Sequence, residues 1–297
     1  MTKIRHAVRV VAVLVPAVVL GFPGTAWVAG AATAQGIALP AAVVHGMSPA
    51  RLPAAVGTHL PKHLLADSAN ASATSDNWSG YSEAACAACR LRYVQTSFTV
   101  PSVNCPAATM GTSGFAYVSH WAGLDGWSDG TVEQTGVAAY CHGTVSAPQY
   151  YAWYEMYPQL PVAFTGIQPG DAMTAWVYWD YSSTGAYHLV LTDVTSGATI
   201  NTWQSCPAGS SCDNTSAEVI TEDPGGAVPS GYDLAPFGAV NYLNTQVTSK
   251  AGVHGGLASN GYWSNWAVTM ANGADTMASP SAPEGAAAFE DTWNAAA

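Results

Sequence analysis

The chain has 297 residues, 49 % of them apolar and only 9 % charged, with eight Lys and Arg against nineteen Asp and Glu. That length holds one large domain or two small ones, and the charged fraction is far below the roughly 25 % of ordinary soluble domains. The scarcity of Glu, Lys and Arg argues against a protein built on exposed helices, and a net charge of −11 argues against partners such as nucleic acid or anionic membrane.

Lys3, Arg5, His6 and Arg9 precede an apolar run from Val10 to Phe22, and Ala32, Thr33 and Ala34 offer small residues for cleavage. This is the pattern of a secretory signal peptide over residues 1–34, and it predicts a secreted, extracellular protein. A permanent membrane anchor fits less well, because Pro16, Gly21, Pro23 and Gly24 interrupt the run. Residues 35–75 carry Pro40, Pro49, Pro53 and Pro61, with His45, Arg51, His59, Lys62 and His63 balanced only by Asp67. The segment reads as a disordered linker or, given its charge, as a propeptide.

Beyond residue 75 only Arg90, Arg92 and Lys250 are Lys or Arg, against eighteen Asp and Glu, a balance of −15. Fully protonated, these three and His120, His142, His188 and His254 give at most +7. Acid unfolding is driven largely by repulsion among cations left when carboxylates are neutralised, so this domain suits an acidic medium. The basic leader is its electrostatic complement. All six cysteines lie in the same region: Cys86, Cys89, Cys105, Cys141, Cys206 and Cys212. Their even number and the export signal predict disulfides, with Cys206 and Cys212 paired across a short loop. The C-A-A-C at 86–89 has no second C-x-x-C to make a zinc site, and no metal or cofactor is expected.

From Asn77 onward, short alternating runs separated by turn residues predict an all-β sandwich or barrel. Strands are expected over 77–83, 90–100, 116–125, 172–181, 187–194, 199–204, 217–222, 239–247, 263–270 and 289–293. The aromatic run Tyr150 to Pro158 and the stretch Val132 to Val137 are strand-like as well, and S-S-T-G at 182–185 marks a hairpin. No helix-length amphipathic segment and no fixed repeat occurs beyond residue 75. The reading is one domain, 76–297, of two packed antiparallel sheets.

Alternation sorts side chains by face. Trp121 falls with Asp125; Tyr151, Trp153, Glu155 and Tyr157 fall together; Gln134 falls with Val132 and Gly136; Glu218 falls with Ile220 and Glu222. Taken singly, an aromatic in a strand is ordinary packing and a Gln an ordinary surface residue. A face that mixes Trp, Tyr, Glu, Asp and Gln is too polar for a core and too aromatic for plain solvent exposure. Spacing alone therefore supports a groove that binds an extended polymer.

Four stretches in order, H-W-A-G-L-D-G at 120–126, E-Q-T-G-V at 133–137, Y-A-W-Y-E-M-Y-P at 151–158 and A-E-V-I-T-E-D at 217–223, carry a resemblance. Together with N-W-S-G-Y at 77–81 and P-F-G at 236–238, they make the chain similar to the glutamic peptidase (eqolisin) family. The resemblance implies a concanavalin A-like β-sandwich, a secreted acid endopeptidase precursor, and Gln134 and Glu218 as its catalytic pair. It also implies that Trp121, Asp125, Trp153, Glu155 and Tyr157 line the substrate site, and that a removable basic propeptide inhibits a monomeric enzyme acting on peptides. Two positions depart from the pattern of fungal members, which have an Asp at the position of Ala138 and an aromatic at that of Val219.

The chemistry is coherent. Peptide hydrolysis needs a base for water, an acid for the leaving nitrogen and a donor for the oxyanion, which one carboxyl and one amide can supply. Two other readings use the same residues: a β-sandwich glycosidase with Glu155 and Glu218 as its carboxyl pair, or a non-catalytic carbohydrate-binding sandwich.

Overall fold

The computed structural model describes residues 42–51, 64–68 (backbone), 71–143, 147–225 and 232–296. The signal peptide expected over residues 1–34 and part of the expected propeptide lie outside these residues. The strands in chain order are Val43–His45 (β1), Ser48–Ala50 (β2), Leu64–Ser68 (β3), Ser72–Ser75 (β4), Trp78–Ala85 (β5), Leu91–Thr99 (β6), Phe115–Leu124 (β7), Val132–His142 (β8), Gln149–Tyr157 (β9) and Val162–Thr165 (β10). There follow Ala172–Trp179 (β11), Tyr187–Asp193 (β12), Thr199–Gln204 (β13), Ser216–Glu222 (β14), Tyr232–Leu234 (β15), Ala239–Ser249 (β16), His254–Gly255 (β17), Trp263–Asn272 (β18), Asp275–Pro280 (β19) and Phe289–Trp293 (β20). One 3-10 turn, Cys105–Ala107, is the sole helical element among the described residues.

The strands form two antiparallel layers. The first runs β13-β12-β11-β6-β16, and the second runs β18-β5-β14-β7-β8-β9-β10. β20 and β19 join β16 to β18, so the two layers are continuous along one margin. Val94, Phe98, Met173, Val177, Leu189 and Leu191 face inward from the first layer and meet Val118, Leu124, Val137, Met156 and Val219 from the second. Each such side chain removed from water contributes on the order of 1.5–3 kcal/mol.

Alternation is clean in the first layer, where Met173, Ala175 and Val177 of β11 are buried and the residues between them are not. The second layer behaves differently. Every residue of β7 and of β14 is buried, because both faces of this sheet are covered. Its outer face carries a separate cluster containing Trp78, Trp121, Trp153, Tyr117, Tyr151 and Ile220.

Short strands of the leader complete the sheet edges. β1 pairs with β13 at the end of the first layer, and β2 pairs with β10 at the end of the second. At the other end of the second layer β4 runs parallel to β18, and β3 pairs with β4. The sulfurs pair as Cys86–Cys89, Cys105–Cys141 and Cys206–Cys212.

Several carboxyls are buried in this fold. Burial raises Glu83 to about 9, Asp223 to about 8, and Asp125 and Asp291 to about 7. Each binds its proton more tightly in the folded than in the unfolded chain. Their contribution to stability is therefore complete below the ordinary carboxylate range and is lost as pH rises through about 7 to 9. Thermal unfolding followed from pH 4 to pH 8 is expected to show a midpoint falling by at least about 5 °C. Glu83→Gln should reduce that fall, and a midpoint that rises with pH would contradict this account of the buried carboxyls.

Candidate active site

The outer face of the second layer is ordered by strand register. Ser82 of β5 stands opposite Glu218 of β14, Glu218 opposite Gly123 of β7, Gly123 opposite Gln134 of β8, and Gln134 opposite Glu155 of β9. Directly opposed residues point to the same face, so these five form one row across five strands. Beyond Ser82 the row continues to Trp266 of β18, whose ring lies 5.6 Å from that of Trp127.

Gln134 and Glu218 are thus two strand spacings apart, roughly 9.6 Å between backbones. The residue between them has no side chain. A Cβ added at Gly123 would lie 3.0 Å from Gln134 Cβ and 3.0 Å from Trp121 Cζ3. The glycine therefore leaves open the space over which the amide and the carboxyl approach each other.

Each member of the pair is held on its outer side. Gln134 Nε2 donates to Glu155 Oε2 at 2.9 Å, and Ser82 Oγ donates to Glu218 Oε1 at 3.0 Å. One amide N–H is spent on Glu155 and a second remains. On their free sides Gln134 Oε1 and Glu218 Oε2 are buried and make no hydrogen bond among the described residues. Orphaned buried polar atoms are costly, and two of them share this row.

Neither Gln134 nor Glu218 is exposed to solvent in this form of the chain. Burial pushes Glu218 well above the usual carboxylate range, and the charges of Asp125 and Asp129 push the same way, while the hydroxyls of Ser216 and Ser82 oppose them. Desolvation penalises the charged form, so Glu218 is a neutral acid here.

The aromatic neighbours build the walls. Trp121 and Trp153 flank Gly136 on the same face, and both are fully buried. Trp121 Nε1 donates to Glu222 Oε2 at 2.8 Å and its ring stands edge-on to Trp78 at 5.1 Å. Tyr157 is half-buried at the margin of the cluster.

Asp125 lies elsewhere. The alternation expected to carry it onto this face stops at Leu124, where β7 ends, and Asp125 has a φ of 67°. Its carboxylate accepts the backbone N–H of Asn214 at 2.8 Å and of Thr215 at 2.7 Å, while its own N–H donates to Ser216 O at 3.1 Å. It fixes the segment that leads into β14, and so acts on Glu218 through position rather than contact. Val219 likewise points into the sandwich core, so the departure there alters packing between the layers. Ala138 is buried on the site face, opposite Ser119 and Tyr151. His120 faces the core between Tyr242 and Phe237, and burial lowers it to about 3, leaving it neutral.

Ser82 and Gly123, and Trp266 beyond them, are the row members that sequence reasoning missed. Ser82 shares its parity with Trp78 and Gly80, which was the available signal. The row also bears on the glycosidase reading, because Gly123 and Gln134 stand between Glu218 and Glu155 and the amide is bonded to Glu155.

Fold and row together define a two-layer β-sandwich with an amide–carboxyl pair on an aromatic face. The sequence profile of the Peptidase A4 family matches residues 76–287, and the chain belongs to that family, the eqolisins. It is 33 % identical over 179 residues to aspergillopepsin-2 of Aspergillus niger, covering 52 % of this chain and 59 % of that protein. It is 32 % identical over 157 residues to scytalidopepsin B of Scytalidium lignicola, covering 50 % and 57 %. The chain thus spans less than two thirds of the length of these relatives. The structure of scytalido-glutamic peptidase with a peptide-based transition-state analogue shares the fold, with a TM-score of 0.56 and 22 % identity over 73 % of this chain and 98 % of that one. Aspergilloglutamic peptidase from Aspergillus niger does so with a TM-score of 0.51 and 23 % identity, over 60 % and 99 %.

Asp125→Ala would leave two backbone N–H groups without acceptors. Denaturant unfolding is expected to show a loss of about 2–4 kcal/mol. An unchanged midpoint would contradict the anchoring role.

Proposed function

We propose that the chain is the precursor of a secreted acid endopeptidase in which Glu218 is general base and then general acid, and Gln134 holds the oxyanion. The observation that carries the proposal is the row itself: on either side of Gly123 stand a carboxyl with one oxygen unbonded and an amide whose oxygen is unbonded and whose nitrogen is held by Glu155. The relatives' names and the peptide-based analogue in a structural neighbour support a peptide substrate.

In the proposed mechanism the scissile carbonyl lies over Gly123. Glu218 Oε2, as carboxylate, takes a proton from water while the water oxygen bonds to the carbonyl carbon. The second N–H of Gln134 Nε2 donates to the carbonyl oxygen as it gains charge, and Glu155 fixes the amide by accepting its other N–H. Glu218 then returns the proton to the amide nitrogen, the C–N bond breaks, and a carboxylic acid and an amine leave. An amide donor keeps its hydrogen at every pH, which suits acidic operation. The chain's own residues complete this cycle, and no metal or cofactor enters it.

The carboxylate required for the first step is not the form that burial favours. We infer that activation admits water to the row, relieves the desolvation of Glu218 and brings its titration back toward the ordinary carboxylate range. In this reading the leader is the inhibitor. Its strands β2 and β4 lie at opposite ends of the sheet that carries the pair, and the pair has no solvent exposure while the leader is present. Secretion rests on the signal-like pattern of residues 1–34, and no described helix is long and apolar enough to cross a membrane. A monomer is the proposed state.

Incubation of the processed protein with a denatured protein at about pH 3.5 is expected to yield peptides. Gln134→Ala should lower kcat/KM by about a hundredfold to a thousandfold, the usual cost of an oxyanion donor, and Glu218→Ala by at least as much. Full activity in both variants would sink the assignment.

A further inference from the structure

The domain beyond residue 75 holds three Lys and Arg residues against eighteen Asp and Glu, and the three stand together. Lys250 N–H donates to Arg90 O at 2.8 Å. The Arg92 guanidinium lies 5.7 Å from the centroid of the Tyr181 ring, and the Lys250 ammonium lies 5.2 Å from the same ring and 5.3 Å from that of Trp179. Among the described residues none of the three forms an ion pair, and Arg92 Nε is buried without a hydrogen-bond partner. The adjacent acid, Asp180, is taken up by the hydroxyls of Ser182, Ser183 and Thr184 in its own turn.

Arg90 and Lys250 line a cavity of about 340 Å³ together with Cys89, Tyr181 and Tyr262. The Cys86–Cys89 disulfide closes its rim, and Arg90 Nη1 is fixed by donating to Cys89 O at 2.6 Å. Its volume is that of a small-ligand site. In a domain with a sixfold excess of carboxyls, two of the three Lys and Arg line this one concavity beside Tyr181 and Tyr262, and the third, Arg92, lies over the Tyr181 ring. Arg and Lys on an aromatic wall are the groups that recognise an oxyanion carried on an organic scaffold.

We infer that this pocket binds a phosphate or sulfate ester group. The choice of ester over carboxylate rests on the acid-endopeptidase reading, since carboxylates lose their charge in acid while phosphate and sulfate esters keep one. The lining residue Cys89 is tied by its disulfide to Cys86, which follows β5 and lies four residues past Ser82 of the row, at most about 13 Å along the chain. A phosphorylated or sulfated residue a few positions from the scissile bond can reach it, which makes the pocket a second point of attachment for such a substrate.

Calorimetric titration of the full chain at about pH 4, with inorganic phosphate, a phosphoserine peptide and its unphosphorylated counterpart, tests this without requiring hydrolysis. Saturable one-site binding of the phosphopeptide is expected, with none of the counterpart. Lys250→Gln, an exposed change whose fold is checked by circular dichroism, should weaken binding at least tenfold, and Arg90→Gln similarly. Tighter binding of the phosphopeptide than of inorganic phosphate assigns the site to an ester on a scaffold, and equal binding assigns it to the oxyanion alone. No saturable binding of either probe, or an affinity untouched by Lys250→Gln, would overturn the inference. The Gln134 and Glu218 variants test the peptidase reading separately.

Discussion

The arrangement depends on a residue that contributes nothing but absence of a side chain. Gly123 sits between Gln134 and Glu218 in the register of three adjacent strands. Any larger residue would place carbon in the space between the two strands' side chains, with the first added atom already 3.0 Å from Gln134 Cβ. The register matters as much as the glycine. A slip of one residue in β8 or β14 would turn Gln134 or Glu218 to the core side, since strand periodicity is two. Both faces of β7 and β14 are packed, so such a slip would also bring polar groups into the core and expose apolar ones. The geometry of the Gln134–Glu218 row and the hydrophobic packing are thus fixed by the same constraint.

Burial sets the electrostatics of this sheet. Among the described residues its buried carboxyls form no ion pair, the three Lys and Arg beyond residue 75 being gathered past the end of β5, and desolvation pushes their titration upward instead. A buried neutral acid costs far less than a buried charge. At higher pH ionisation must overcome that desolvation, so the buried carboxyls, Glu218 among them, favour the folded chain at low pH. In the proposed function, acid operation and a closed resting state are two consequences of placing these carboxyls inside a sandwich.

Much of the fold was legible because alternation in strands such as β11 reports one buried face directly. β13 and β20 fall on the residues expected, and the pairing of Cys206 with Cys212 follows from the short loop between them. The polar and aromatic face was visible as an oddity, and the structure explains it as the second packed face of one sheet. Sequence spacing could not single out Gln134 and Glu218, since nothing in a single strand shows which residue will lie across from a glycine two strands away. Those residues came from the resemblance. Asp125 went astray because alternation was carried one residue past the end of β7 into a left-handed turn. The leader strands were invisible, because two short edge pairings of three residues each leave no periodic trace.

The account turns on the protonation of Glu218 in the closed chain and its release on processing. Infrared difference spectra of wild type against Glu218→Gln, recorded across pH for the full-length and the processed protein, read that carboxyl directly. A protonated carboxyl band that persists to neutral pH in the full-length chain, and titrates in the ordinary carboxylate range after processing, is the predicted result. A band already lost by about pH 4.5 in the full-length chain would contradict the account, because burial would then not be holding the proton.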